Sequence, residues 1–239
     1  NGGRMSGDMN TALGNCVLMV CMLSHFLESR GVWDYEIVDD GDDCGFIIEE
    51  SLLPRVADAG PDFLEFGFSM KVEAPVHTLE AIVFCQSQLV QTASGPVMVR
   101  QPQLSMSKDA LSIKPVKCEA DFCHHLAELG GCGLALCSGV PVMQEYYLSM
   151  LRGAKGYSGW GADPTVETGM FFLAMRMESK ESPVTVDARV SFYNAFGLLP
   201  DDQVLLEEYY RNHTPTYHTP VAVDARASPN TSLPTLLSA

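Results

Sequence analysis

Positive charge is scarce in this sequence: its 239 residues carry 15 Lys and Arg against 30 Asp and Glu, for a formal net charge of −15. Binding to a phosphate backbone rests on Lys and Arg neutralising phosphates, so these residues are excluded as a stand-alone nucleic-acid grip. No uninterrupted run of about 18 apolar residues is found, and no membrane span is predicted. The N-terminus has neither the basic segment nor the cleavage site of a signal peptide. The first residue is Asn1 rather than Met, which predicts that the chain begins inside a longer protein or after processing. Eight cysteines, Cys16, Cys21, Cys44, Cys85, Cys118, Cys123, Cys132 and Cys137, lack the compact spacing of a secreted disulfide scaffold. They read as reduced thiols of a cytosolic protein. There is no internal repeat.

Hydrophobic residues make up 46% of the chain. That is enough to bury a core in one large or two small domains, and it excludes a disordered chain. The densest chemistry lies in Ile37-Val38-Asp39-Asp40-Gly41-Asp42-Asp43-Cys44-Gly45-Phe46-Ile47-Ile48, where four carboxylates and a glycine separate two strand-forming arms. Asp-Gly is a strong two-residue turn signal, because glycine accepts positive φ without steric cost. Four like charges at one hairpin tip repel one another, and a divalent cation is the simplest partner for them. A solvated turn is the plain alternative. A helix-loop-helix calcium site fits less well. Glu50 falls where its last ligand would be if Asp39 came first, but the glycine is misplaced and strands flank the loop. The grouping Cys118, Cys123, His124, His125, Cys132 and Cys137 follows an amphipathic helical pattern, so it reads as helix core with a surface His pair rather than as a zinc site.

Along the chain, Gly2 to Asp8 is a polar loop, with Ser6 or Asp8 as N-cap of an apolar helix over Met9 to Ser29 that Gly31 stops. Apolar residues all round that helix predict burial on most sides. Thr11 and Asn15 share one of its faces. Ser51 to Glu65 reads as a short helix, irregular at Pro54 and Gly60-Pro61. Strands are predicted over Phe66 to Glu73 and Ala81 to Cys85, with a hairpin of Gln88 to Thr92 and Val97 to Arg100. Helices are predicted near 105–111, 118–129, 132–138, 141–153, 165–178, 187–197 and 200–211. The fold class is therefore α+β, an antiparallel sheet with helices followed by a helical half. Beyond about His213 the composition predicts an extended or disordered tail.

Taken together, Ser6-Gly7-Asp8-Met9-Asn10-Thr11-Ala12-Leu13-Gly14-Asn15, Gly41-Asp42-Asp43, Phe66-Gly67-Phe68-Ser69-Met70-Lys71 and Phe84-Cys85-Gln86 resemble the successive palm motifs of viral RNA-dependent RNA polymerases, closest to the tombusvirus and carmovirus group. The resemblance implies an RNA-directed RNA polymerase that transfers nucleotides from NTPs by a two-metal mechanism in viral genome replication, with Mg²⁺ or Mn²⁺ as cofactor. It implies a palm part over 1–104, a helical thumb over 105–211 and a tail over 212–239. By the same resemblance, Asp42 is the principal metal ligand, Asp43 an auxiliary ligand and Gly41 the turn residue. Ser6, Gly7, Thr11 and Asn15 bind nucleotide and ribose, Lys71 is the general acid, and Phe84, Cys85 and Gln86 form the primer grip. A neutral Asn usually precedes the family's glycine, where this chain has Asp40. The implied partners are the RNA template, the nascent strand, NTPs and a viral replication accessory protein. The fingers and the first palm motif, with its bridging aspartate, are expected before Asn1. The implied location is the host cytoplasm, at membrane-associated replication complexes. Two other readings are a reverse-transcriptase-like palm polymerase and a non-catalytic acidic domain that binds metal or a partner.

Overall fold

We describe residues 9–112, 115–159 and 169–218 of a computed structural model. The described chain combines helices with two small antiparallel sheets of two strands each, an α+β composition. It groups into two units that are interleaved in sequence. The first takes Asn1–Lys108, Gly139–Pro141 and Ser182–Val204, and the second takes Asp109–Ser138, Val142–Glu181 and Leu205–Ala239.

The first unit is built on α1 (Thr11–Ser29), which buries Met19, Leu23, Phe26 and Leu27. Their spacing puts them on one stripe of the helix. Gly31, at φ +72°, ends it: the N–H of Gly31 donates to Glu28 O at 3.0 Å and that of Val32 to Leu27 O at 3.0 Å. This is the paired closure of a Schellman motif, and Val32 buries its side chain completely beside the last turn. Burial of α1 on most sides is not observed. Leu13 is 72% exposed and Val17 53%, because only one face meets the core, and apolar composition alone supplies no packing partner. By length and composition alone α1 is also apolar enough to cross a membrane, and its buried stripe serves the core of the first unit. Polar residues such as Thr11, Asn15 and Ser24 break the run without adding charge. The predicted caps Ser6 and Asp8 lie outside the described residues; Asn10 holds the N-cap position without a side-chain capping bond.

Against the buried stripe pack Val56, Ala59 and Phe63, together with half-buried Ile37, Cys44 and Phe46 of the acidic hairpin. The Phe26 and Phe63 ring centroids lie 5.9 Å apart. That hairpin pairs β1 (Glu36–Asp40) with β2 (Asp43–Ile47). A 3-10 turn over Glu50–Leu52 leads into α2 (Leu53–Val56) and α3 (Gly60–Glu65), broken at the prolines as predicted. The predicted strand Phe66 to Glu73 is absent. Gly67, at φ +86°, closes α3, with Phe68 N–H donating to Phe63 O at 2.9 Å. The alternating residues beyond it find no strand to pair with among the described residues. Ala81 to Cys85 is not a strand either: Leu79–Ala81 forms a 3-10 turn, and the chain then reverses between Phe84 and Ser87.

The second hairpin, β3 (Ser87–Thr92) with β4 (Gly95–Arg100), matches its prediction, although β4 starts two residues earlier. It continues into α4 (Pro102–Lys108). Its buried side receives α8 (Val186–Phe196), which returns to this unit from far along the sequence. Gln88 Nε2 donates to Ala195 O at 2.6 Å and to Glu80 O at 2.8 Å, while Ser191 Oγ accepts from Gln91 N–H at 2.8 Å and donates to Glu80 Oε1 at 3.0 Å. Buried polar groups are tolerated here because each is paired.

In the second unit α5 (Glu119–Leu136) packs on α6 (Met143–Gly153) and on α7 (Gly169–Ala174). The chain ends its described helices with α9 (Pro200–Asn212), whose residues from Leu205 onward belong here. Two helices were predicted where α5 is continuous. Gly130, Gly131 and Gly133 look like breakers, but a Cβ on Gly133 would lie 2.1 Å from the Tyr147 ring, and one on Gly130 would lie 2.8 Å from Leu151. Two of the three glycines thus let α6 approach and do not interrupt the helix. Cys123 and Cys137 are buried, and His124 and His125 each meet a backbone carbonyl, Ser158 O at 2.6 Å and Ala110 O at 3.2 Å. Residues 165–168 of the predicted 165–178 helix and residues 219–239 of the predicted tail lie outside the described residues.

Candidate functional site

The acidic hairpin places its carboxylates by strand alternation. Successive side chains of a strand point to opposite faces, so half-buried Asp39 follows Ile37 toward the core side while exposed Asp40 follows Val38. In the register, Asp39 stands opposite Cys44 and Asp40 opposite Asp43, with Gly41 and Asp42 as the two-residue loop. Gly41 has φ +86°, and Asp42 is not left-handed. Positive φ at the first loop residue only is the pattern of a type II′ hairpin turn, which calls for glycine there. A Cβ on Gly41 would also come 3.4 Å from Asn15 Cβ. The tip therefore rests against the first turns of α1.

The two faces of the tip differ. On the α1 side the Cys16 thiol hydrogen-bonds Asp39, and that bond is the main reason its pKa is raised. Asp39 Oδ1 is buried without a hydrogen-bond partner. Cys44, half-buried, is raised chiefly by burial and then by Asp39. On the other side Cys85 Sγ donates to Asp40 Oδ2 at 3.3 Å. Partial desolvation of the sulfur and the bond to Asp40 push that thiol up to about 11, although the residue as a whole keeps solvent contact. Cys85 sits in the reversal of Phe84 to Ser87, where both backbone bonds are 2.9 Å. Cys85 and Gln86 have φ of 49° and 60°. Left-handed backbone costs a non-glycine residue roughly 1–2 kcal/mol.

Like charges directly opposite each other on a sheet are destabilising. The Asp40–Asp43 pair and the unpartnered Asp39 oxygen thus leave the tip short of positive charge. The donors exposed at the tip itself are the carboxylate oxygens of Asp40, Asp42 and Asp43. This set fits a hard divalent cation rather than a thiolate-binding metal. Among the described residues no three Asp, Glu, His or Cys side chains form a metal cage, so the tip supplies part of a coordination shell.

The sequence profile of viral RNA dependent RNA polymerases matches residues 1–218. The chain belongs to that family. It is 39% identical to the RNA-directed RNA polymerase of Turnip crinkle virus over 216 residues, which cover 89% of this chain and 28% of that protein. Against the RNA-directed RNA polymerase of Melon necrotic spot virus it is 39% identical, over 90% of this chain and 27% of the relative. The Tobacco necrosis virus (strain A) protein of the same name is 37% identical, over 89% and 29%. The chain thus spans under a third of the length of these relatives. No solved structure gives a significant match.

Within this polymerase family chain, the predicted site residues fall into three groups. Asn15, Gly41, Asp42, Asp43 and Cys85 come together at or beside the tip; Thr11 lies one turn before Asn15 on α1, and Phe84 and Gln86 flank Cys85. Lys71 does not join them: it lies in the irregular segment after α3, its side chain is 88% exposed, and it pairs with Glu73 at 3.5 Å. Ser6 and Gly7 lie outside the described residues. Sequence reasoning missed Cys16 as the neighbour of Asp39 and Cys85 as the neighbour of Asp40. The period of two along Glu36 to Asp40 was the available signal that the two aspartates face different ways.

Proposed function

We propose that this chain is the portion of an RNA-directed RNA polymerase that carries the acidic hairpin, acting in template-directed nucleotidyl transfer from NTPs during viral genome replication. The observation that carries the reading is the meeting of the Asp42-Asp43 tip with the start of α1 and with the Cys85 turn, in a chain of this family. Asp42 and Asp43 hold a divalent ion, Mg²⁺ or Mn²⁺; when bound, it supplies Lewis-acid activation of the attacking 3′ hydroxyl and charge neutralisation at the departing pyrophosphate. Thr11 and Asn15, half-buried on one face of α1, present polar groups to the ribose. A site built to hydrogen-bond a 2′ hydroxyl rejects the sugar that lacks it, because its own polar groups are then unpaired. Ser6 and Gly7 contact the incoming base pair, and Phe84, Cys85 and Gln86 support the nascent strand. Lys71, which pairs with Glu73 apart from the tip, leaves that pair to act as general acid to the pyrophosphate.

In this reading residues 1–104 belong to a polymerase palm and 105–211 to a thumb. The bridging carboxylate, the basic fingers and any replication accessory protein are contributed from outside these residues. That division accounts for the net charge of −15, since the phosphate-neutralising groups reside elsewhere in the polymerase. The working location is a membrane-associated replication complex in the host cytoplasm. The test is Asp42→Ala in the full-length polymerase, with nucleotide incorporation on an RNA template as the readout. Loss of incorporation supports the reading, and retained synthesis overturns it.

A further inference from the structure

Asp40 has no role in the reading above, yet it stands directly opposite Asp43. Two ionised carboxylates in that register repel, and an unrestrained Asp40 would compete with Asp43 for the same cation. The Cys85 thiol, which lies 45 residues away in sequence, meets Asp40 Oδ2 at 3.3 Å. The backbone that presents the thiol is costly. Cys85 and Gln86 are both left-handed, whereas the other turn at the tip uses glycine for its left-handed position. A side chain standing where glycine would relieve strain points to a use for that side chain. The turn is also held from behind, because Gln88 at the start of β3 is tied to Glu80 and Ala195.

We propose that Cys85 is a positioning residue for the nucleotidyl-transfer site: its S–H, aimed by the Phe84–Ser87 turn, holds Asp40 aside so that Asp42 and Asp43 are left to take the ion. The proposal rests on the polymerase reading above. The thiol serves as a donor and not as a ligand, since its S–H is directed at Asp40 Oδ2. The same thiol also bonds Asp43, a ligand in that reading, and neutral hydrogen-bonding groups behind a metal ligand commonly change metal affinity by about 10–100-fold when removed.

The experiment measures Mn²⁺ binding to the full-length polymerase by calorimetric titration, beside its RNA synthesis as a function of Mg²⁺ concentration. Cys85→Ala is expected to raise both the half-saturating Mg²⁺ concentration and the Mn²⁺ dissociation constant about tenfold. Cys85→Ser keeps a donor and makes the same backbone demand, so it should restore the wild-type Mg²⁺ dependence and control for folding. In the double variant Cys85→Ala with Asp40→Asn, the shift should be no larger than in Asp40→Asn alone, because the two residues act through one contact. An unmoved Mg²⁺ dependence in Cys85→Ala, a fall in kcat alone, or shifts that multiply as independent effects would each overturn the proposal. A wild-type enzyme that incorporates nucleotide at no Mg²⁺ concentration removes the polymerase reading and this proposal with it. An active wild type with an unmoved Cys85→Ala removes the proposal alone.

Discussion

Gly41 and the pair Cys85-Gln86 both turn the chain through left-handed backbone at the same acidic tip. At Gly41, φ of +86° falls on a residue without a Cβ, and the bare backbone lets the tip settle against Asn15. At Cys85 and Gln86 the same region of φ is occupied by two ordinary residues, at a cost of about 1–2 kcal/mol each. The first turn is optimised for close approach. The second gives up stability to keep a thiol in reach of Asp40, and it draws that stability from the polar ties between β3 and α8. Backbone strain and a positioning side chain are thus found on one turn, while the turn that carries the acidic residues has an unstrained backbone.

This contrast can be broken most severely at the charge itself. Asp42→Ala in the full polymerase should lower nucleotide incorporation on the order of 10³-fold, since a metal site supplies several kcal/mol and each 1.36 kcal/mol is tenfold in rate; a single-nucleotide extension assay reads it. Next comes the tie that offsets the strained turn. Ser191→Ala leaves the Gln91 N–H without its acceptor, and a denaturant titration should show a loss of about 1–3 kcal/mol. Gly41→Ala should cost about 1–2 kcal/mol from positive φ, with a further demand on Asn15. If it proves neutral, Gly41 is not the relaxed turn described. The smallest effect has the opposite sign: Gln86→Gly should raise the unfolding midpoint by the equivalent of about 1 kcal/mol. No gain there would mean that the second turn is not strained.

Turn chemistry was the most legible part of the sequence. Asp-Gly flanked by apolar arms located β1 and β2, because local φ demands are written in single residues. Pairing was less legible. Phe66, Phe68, Met70 and Val72 alternate as a strand should, but Gly67 is the closing residue of α3, and alternation cannot announce whether a partner strand exists. Gly130 and Gly133 read as helix breakers, since only the approaching Tyr147 and Leu151 show why glycine is needed. At the site, Asp42 and Asp43 were legible as a charged tip. The thiols were not, because Cys16 and Cys85 gain their significance from residues far along the chain.

The bond between Gln88 and Ala195 joins residues 107 positions apart. For a protein made from one end on a ribosome, this sets an order of events. The strand that aims the Cys85 turn is synthesised early and must wait for α8, and a loop of that length closes slowly compared with local helices and hairpins. Until Ser182–Val204 has emerged, Gln88 and Gln91 lack their α8 partners and the buried side of β3 is open to the wrong ones. A nascent chain stopped short of α8 would therefore carry every acidic residue of the tip and still lack a finished first unit, so the polymerase cannot complete its acidic corner before most of these residues have been translated.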